Sequence, residues 1–377
     1  MLKGLFITTA RFLEDRAGGV QICTREFIDC LATAGISLKM LPVDADRSWP
    51  SRIKRLFNSS PFIGSYGPTV RNEVKALAAD ERFDFVFLNQ EFLAPLAAEI
   101  RPFLAPGCKI VVLSHGLEII DMLHAVRLGR RLPLKRRLRP SAAMMLGSIL
   151  LAEQRLREDI DIVCAISPFG SEMERWLGTK RVGWLPRTIS AGPLDWRPVR
   201  GRFGFVGTLD HGPSLEGLVQ VLESLGTDDA MEIRLVGSPS QVGNWLADRF
   251  PRVTYLGGLD DAGLKAEAAS WNAFLHPIFC LPRGCSTKLA QAIGWQIPIV
   301  TSEPGRRGYV WKDGSLLEAE DAGQFATMCR SLMEEGASAA AKAEVARVAA
   351  TSPTMAEVAV SMANLLGIAP PARAGVG

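Results

Sequence analysis

The chain is short of several features that would assign it at once. Its 377 residues include only four histidines and three tyrosines. The seven cysteines (Cys23, Cys30, Cys108, Cys164, Cys280, Cys285 and Cys329) are odd in number, irregular in spacing and never form a Cys-x-x-Cys pair. That pattern argues against a disulfide scaffold and fits reduced thiols in a cytoplasmic protein. The GxGxxG dinucleotide fingerprint is absent from the first glycine-rich loop, and the later phosphate-like loop is not a Walker A sequence. No stretch approaches the roughly 18–20 uncharged apolar residues of a membrane span. The start, MLKGLFITTARFLEDRAGGV, has a short apolar run ending in charges and no small-residue cleavage site, so it reads as a first strand and not a leader. No nucleic-acid recognition sequence occurs and the net charge is only +3, so nucleic acid is not an expected partner.

A composition 47% hydrophobic and 22% charged is that of an ordinary globular protein, and the length suggests two domains. Charge is unevenly spread. Residues 1–188 carry 27 Lys and Arg against 20 Asp and Glu, whereas the remainder carries 16 against 20. Much of the excess lies in RLGRRLPLKRRLR (127–139), where seven of thirteen residues are basic. A basic first half points to an anionic ligand or surface.

Short apolar runs alternate with amphipathic helical stretches. Strands are expected at 4–8, 36–43, 83–88, 109–114, 161–167 and 181–186, each rich in β-branched or aromatic residues. A second series is expected at 202–207, 231–237, 252–258, 272–277 and 297–302, with helices at 213–225, 239–249, 260–270 and 286–294 between. In the first series, residues 19–34 place Val20, Cys23, Phe27 and Leu31 on one helical face before Gly35. Strand–helix alternation predicts parallel sheets with right-handed crossovers, hence two doubly wound α/β domains. The expected boundary lies in RTISAGPLDWRPVRG (187–201), giving domains 1–188 and 189–352. A closing helix follows at about 353–366, then a Pro/Ala/Gly tail at 367–377 that is expected to fray.

Ligands of open α/β sheets bind beyond the carboxyl ends of the strands, which singles out five loops. Gly18 and Gly19 open a helix after the first strand, as an anion loop or a simple turn. In LSHGLE, His115 ends a strand and reads either as a hydrogen-bonding contact to a sugar hydroxyl or phosphate, or as a structural histidine. Glu118 reads as a cap for the helix beyond it. In FVGTLDHGPS, Gly207 and Thr208 are placed to face phosphates, while Asp210 and His211 either face substrate or cap the next helix. In LPRGCSTKLAQ, Arg283, the amides of Gly284, Cys285, Ser286 and Thr287, and Lys288 converge on one helix N-terminus, as a diphosphate requires. Gln291 lies one turn inside, in reach of a ribose hydroxyl. Arg306 and Arg307, in EPGRRGY, read as cleft charge or, preferably, as solvated side chains. The stretch 127–157 joins basic residues (Arg130, Arg131, Lys135, Arg136 and Arg137) to an apolar helical pattern. It reads as contact with an anionic membrane face, or as a solvated loop before a core helix.

Taken in order, these segments resemble GT-B glycosyltransferases, close to glycosyltransferase family 4 (group 1), over roughly residues 1–366. AGGVQ resembles the family's loop after the first strand and VVLSHGLE its strand-His segment. DIVCAISPFGSEMERWL resembles a family strand and helix, and VGWLPR the exit from the first domain. FVGTLDHGPSLEGL resembles the opening of the donor domain, and RGCSTKLAQAIGWQIPIVTSEPGRRG its donor loop. The resemblance implies two Rossmann-like domains facing across a cleft, with a UDP- or GDP-sugar on the second and the acceptor on the first. It implies transfer with retention, no metal and no further cofactor. His115, Arg283 and Lys288 are then the expected catalytic groups, with Gly18, Gly19, Gly207, Thr208, Gly284, Cys285, Ser286, Thr287 and Gln291 holding the donor. Where the family often carries two glutamates eight positions apart, this chain has Arg283 and Gln291. A glycan or polyprenyl-linked acceptor, a role in bacterial surface polysaccharide synthesis and peripheral attachment to the inner face of the plasma membrane complete the expectation. The altered glutamate pair also suggests a non-catalytic nucleotide-sugar-binding protein. A sugar epimerase would need cleft carboxylates, for which Asp15, Glu118 and Asp210 are the candidates.

Overall fold

The structure, a computed structural model, describes residues 1–14, 18–51, 53, 62–128, 142–190, 192–226 and 230–370. In chain order its elements are β1 (Leu2–Thr9), α1 (Gly19–Thr33), β2 (Ile36–Val43), α2 (Val70–Asp80), β3 (Phe85–Asn89), α3 (Leu96–Ile100), β4 (Lys109–Leu113), α4 (Glu118–Leu128), α5 (Ala142–Leu156), β5 (Ile162–Ala165), α6 (Pro168–Trp176) and β6 (Val182–Trp184). They continue with β7 (Arg202–Thr208), α7 (Gly212–Leu225), β8 (Glu232–Ser238), α8 (Ser240–Arg249), β9 (Val253–Gly257), α9 (Asp261–Ala269), β10 (Ala273–Leu275), α10 (Thr287–Trp295), β11 (Ile299–Thr301), α11 (Glu303–Arg306), β12 (Leu317–Glu318), α12 (Ala322–Ser331), α13 (Ala337–Thr351) and α14 (Met355–Leu366). Two compact units result. Of the described residues, the first takes 1–123, 142–187 and 354–370, and the second takes 124–128 and 188–353.

The first unit is a six-stranded sheet in the order β2-β1-β3-β4-β5-β6, parallel throughout. Its strands are apolar along their length because helices cover both faces. Leu5, Ile7, Val86, Leu88, Ile110, Val112 and Val163 form one face of the core. At about 1.5–3 kcal/mol per fully buried aliphatic side chain, this burial is the main term holding the unit together. α14 packs on α1 and completes the unit. Its start is fixed by a capping box between Thr354 and Glu357, its end by Gly367 at φ +74°. Lys109 and Arg181 donate to the carbonyls of Leu366 and Asn364 at 3.3 and 2.9 Å, which suits cations at a helix C-terminus.

The second unit has the order β12-β11-β10-β7-β8-β9, again parallel. Phe203, Phe205, Ile233, Leu235 and Val300 pack on one face under α7 and α12, and Val206, Phe274 and Ile299 on the other under α10 and α13. α7 lies so close to the chain after β10 that a Cβ on Gly217 would come within 1.9 Å of the Pro277 carbonyl oxygen. Only glycine permits that approach, which seats the N-terminal half of α7 beside the loop leading to α10. In each unit the strand order reverses once, between β1 and β3 in the first and between β7 and β10 in the second. These are the places where open α/β sheets take ligands.

Behind the first sheet's carboxyl edge lies a fully buried charge cluster. Arg157 bonds Glu174 through Nε and Nη2 at 2.9 and 2.6 Å and faces Glu91 at 3.2 Å. Glu153 accepts the Glu118 amide at 2.7 Å and so caps α4. Three carboxyls share one guanidinium, so full ionisation is opposed. Burial, reinforced by the Glu91 charge, pushes Glu153 from 4.5 to about 8. The same causes raise Glu174 to about 7. A carboxyl whose folded pKa is raised favours the protonated fold. For Glu153 the stability gained is complete below about pH 4.5 and is lost as pH climbs towards about 8. We expect the first unit to melt lower at about pH 8 than at about pH 6, and Glu153→Gln to flatten that dependence while keeping an oxygen for the Glu118 amide. Thermal melts across this range check it; an unchanged slope in the variant refutes the assignment.

Candidate functional site

The site residues expected from sequence fall into two sets, one in each unit. In the first unit, Gly18 occupies the N-cap of α1 and Gly19 begins the helix. His115 lies just beyond β4 and is 7% exposed. Its ring sits 5.7 Å from that of Phe27 on α1. Asn89, the last residue of β3, donates through Nδ2 to Thr8 Oγ1 on β1 at 2.8 Å and to Thr24 Oγ1 on α1 at 2.9 Å. Both amide hydrogens of Asn89 are thereby used. Its Oδ1, 3.0 Å from His115 Nε2, therefore accepts a proton carried on that nitrogen. Gln90 Nε2 reaches His115 Nδ1 at 3.4 Å. Both ring nitrogens are thus engaged by side chains at the β1/β3 switch point. Asn89, Gln90, Thr8 and Thr24 were not singled out from sequence. Their only signal there was a polar Asn-Gln pair ending an apolar strand.

In the second unit, Gly207 and Thr208 end β7, and the Thr208 carbonyl accepts the His211 amide at 3.2 Å. His211 is the N-cap residue of α7, and its Nδ1 lies 2.8 Å from Ser214 Oγ. His211 thus stands at the start of α7, although its side chain makes no capping bond to the helix backbone.

After β10 the chain runs through the loop 276–286 into α10. Gly284 turns it at φ +63°, a conformation glycine adopts without strain. Ser286 is the N-cap, its Oγ accepting the Leu289 amide at 3.4 Å, and Thr287 is the first helical residue. Gly284, Cys285, Ser286, Thr287, Lys288 and Gln291 are therefore gathered around one helix start. Lys288 Nζ donates to Gln291 Oε1 at 3.3 Å. Among the described residues no carboxylate forms an ion pair with Lys288, and burial lowers its pKa, with Asp261 opposing.

Arg307 corrects an expectation. It reads from sequence as solvated, yet it is 8% exposed. Its Nε donates to the Pro282 carbonyl at 3.1 Å, Nη1 to Pro304 at 2.8 Å and Nη2 to Arg283 at 3.1 Å. A planar fork of donors clamps the loop backbone, which a lysine cannot do. Two adjacent arginines in a Gly/Pro-rich loop look alike in sequence; only Arg306 stays partly exposed, paired with Glu318 at 2.7 Å. Tyr309 Oη adds a bond to the Ser286 carbonyl at 2.7 Å. His276, at the end of β10, is buried with Nδ1 3.0 Å from Thr301 Oγ1. Burial, with Arg307 nearby, lowers its pKa to about 3, so its ring is neutral.

Arg130, Arg131, Lys135, Arg136 and Arg137 lie outside the described residues. Among the described residues, no group of three or more His, Cys, Asp or Glu is placed to hold a metal ion. No helix of the described residues is long and apolar enough to cross a membrane.

With this geometry established, residues 200–335 match the family model Glycosyl transferases group 1. No curated protein matches the chain. Among solved structures, the chain is similar to sucrose-phosphate synthase from Thermosynechococcus elongatus (17% identity, TM-score 0.66, covering 97% of this chain and 98% of that one). It is also similar to HepE from Anabaena, solved with UDP and glucose (14%, 0.62, 97% and 100%). A third is the lipopolysaccharide outer core galactosyltransferase WaaB (13%, 0.60, 97% and 99%). The chain has the GT-B fold, and residues 200–335, within its second unit, are similar to the group 1 glycosyl transferases.

Removing the clamp should loosen the second unit. Arg307→Ala leaves two loop carbonyls and that of Pro304 without their donor, and we expect a loss of about 2–3 kcal/mol in unfolding free energy. Calorimetry reads this directly, and a change within about 0.5 kcal/mol, typical of a solvated surface site, would return Arg307 to the surface class.

Proposed function

We propose that the protein is a retaining glycosyltransferase that moves a sugar from a UDP- or GDP-sugar to a glycan or polyprenyl-linked acceptor. The observation carrying this reading is the start of α10. A half-buried ammonium without an ion-paired carboxylate, that of Lys288, stands there in the first turn of the helix, and Arg283 and residues 284–287 lead into it. As the glycosidic bond breaks, negative charge grows on the leaving diphosphate. Fixed donors aimed at that charge lower the barrier because they strengthen as it develops. Lys288, Arg283 and the loop amides fill this role without a metal ion or further cofactor. Gln291 supplies an amide for the ribose in place of a carboxylate. Gly207 and Thr208 line the switch point on the β7 side. In the first unit, Gly18 and Gly19 offer helix-start amides, and His115 belongs to the group that positions a sugar.

Similar structures support the substrate class: one was solved with UDP and glucose, and another is a lipopolysaccharide outer core galactosyltransferase. The same likeness favours a role in bacterial surface polysaccharide synthesis. The seven basic residues of 127–139 suit a cytoplasmic enzyme resting on the anionic inner face of the plasma membrane. A second reading, a nucleotide-sugar-binding protein without turnover, is favoured only by Arg283 and Gln291 standing where the family often has glutamates.

Lys288→Ala should cut nucleoside diphosphate release at least about a hundredfold, as loss of a charge-stabilising donor does, with the melting temperature unchanged. A coupled assay on a panel of nucleotide sugars reads this. Undiminished turnover in the variant would refute the assignment, and tight binding without release by the wild type would favour the second reading.

A further inference from the structure

Gln90 is one of two non-glycine residues with positive φ among the described residues; the other, Gln296, terminates α10 in the ordinary left-handed region. Gln90 has φ +86° and ψ 153°, a combination almost confined to glycine and strained in other residues. It directly follows β3, at the switch point of the first sheet. The side chain at this strained position is 2% exposed. Its Nε2 reaches His115 Nδ1 at 3.4 Å, while its Oε1 is buried without a hydrogen-bond partner. A buried, unpaired amide oxygen is costly, because it has given up water and gained no donor. Backbone strain and an unmet acceptor coincide in one residue, beside an imidazole whose two nitrogens already serve Asn89 and Gln90.

We propose that Gln90 is the sugar-contact residue of the first unit, its Oε1 accepting a sugar hydroxyl. His115 is then a positioning residue that holds the Gln90 amide in register. The inference rests on the glycosyl-transfer reading and assigns a contact within it. A hydroxyl on the transferred sugar and one on an acceptor glycan present the same chemistry, so the test has an arm for each.

The full chain is titrated with UDP-glucose, UDP-galactose, UDP-N-acetylglucosamine and GDP-mannose, each beside its bare nucleoside diphosphate, and with the methyl glycosides of the same sugars. In Gln90→Ala we expect about a tenfold loss of sugar affinity in one arm, the loss of one hydrogen bond, with affinity for UDP and GDP unchanged. A loss confined to the nucleotide sugars assigns the hydroxyl to the donor, and a loss confined to the glycosides assigns it to the acceptor. Gln90→Gly separates contact from packing. It relieves the strained φ, so its melting temperature should equal or exceed that of the wild type while sugar affinity falls as in Gln90→Ala. Equal sugar affinity in wild type and Gln90→Ala overturns the proposal. So does the absence of sugar binding by the wild type in both arms, or a Gln90→Gly variant that loses stability but keeps sugar affinity. Failure of the wild type to bind UDP or GDP counts instead against the glycosyl-transfer reading.

Discussion

Lys288 keeps its ammonium in a half-buried position where water is scarce, and Gln291 answers it only with a carbonyl dipole. Other cations of the second unit are treated differently. Arg234 is matched by Glu232 and Glu267, Arg202 by Glu232, and Arg306 by Glu318. A desolvated charge that only Asp261, outside ion-pair reach, favours is expensive, and it stands at a helix start whose dipole repels cations. Both penalties vanish when an anion sits against the ammonium and the helix amides together. The loop around it is built to stay still. Arg307 holds its carbonyls from within, Tyr309 holds the Ser286 carbonyl, and Gly217 lets α7 close on the chain entering it. Fixed donors help catalysis because they need no reorganisation as charge develops.

The elements were legible because each strand is a compact apolar run and each helix has a start or stop of its own. β2 was read at its observed limits, and the helices after β1, β7, β8 and β9 within a residue or so of theirs. Strand ends were read long, as at 161–167 against Ile162–Ala165 and 297–302 against Ile299–Thr301. The residues beyond a parallel strand stay apolar or small while the ladder has stopped. The two-residue strand β12 has no pattern to detect.

The candidate site was legible where it is local. Residues 284–288 are contiguous, so glycine, a cap and a lysine in succession announce a helix start. The His115 network draws on β1, α1, β3 and β4, and no spacing in the chain brings Thr8, Thr24, Asn89 and His115 together before the sheet order is known. Arg307 was misread for a related reason. Its partners are carbonyls, which every residue has, so composition says nothing about them.

The strained Gln90 and the buried charge cluster are parts of one arrangement. A residue stays at an unfavourable φ only where its surroundings over-determine it. Before Gln90, Asn89 is the last strand residue of β3 and is tied to both β1 and α1. Gln90 itself donates its amide to the Leu113 carbonyl at 3.0 Å. After it, Glu91 is fully buried against Arg157, which Glu174 holds in turn. A buried carboxylate facing a buried guanidinium is hard to displace, because separating them exposes each to an apolar interior. The turn at Gln90 is therefore pinned from both sides. The cluster that gains little stability from its charges gains position instead, holding one amide group at the end of the sheet.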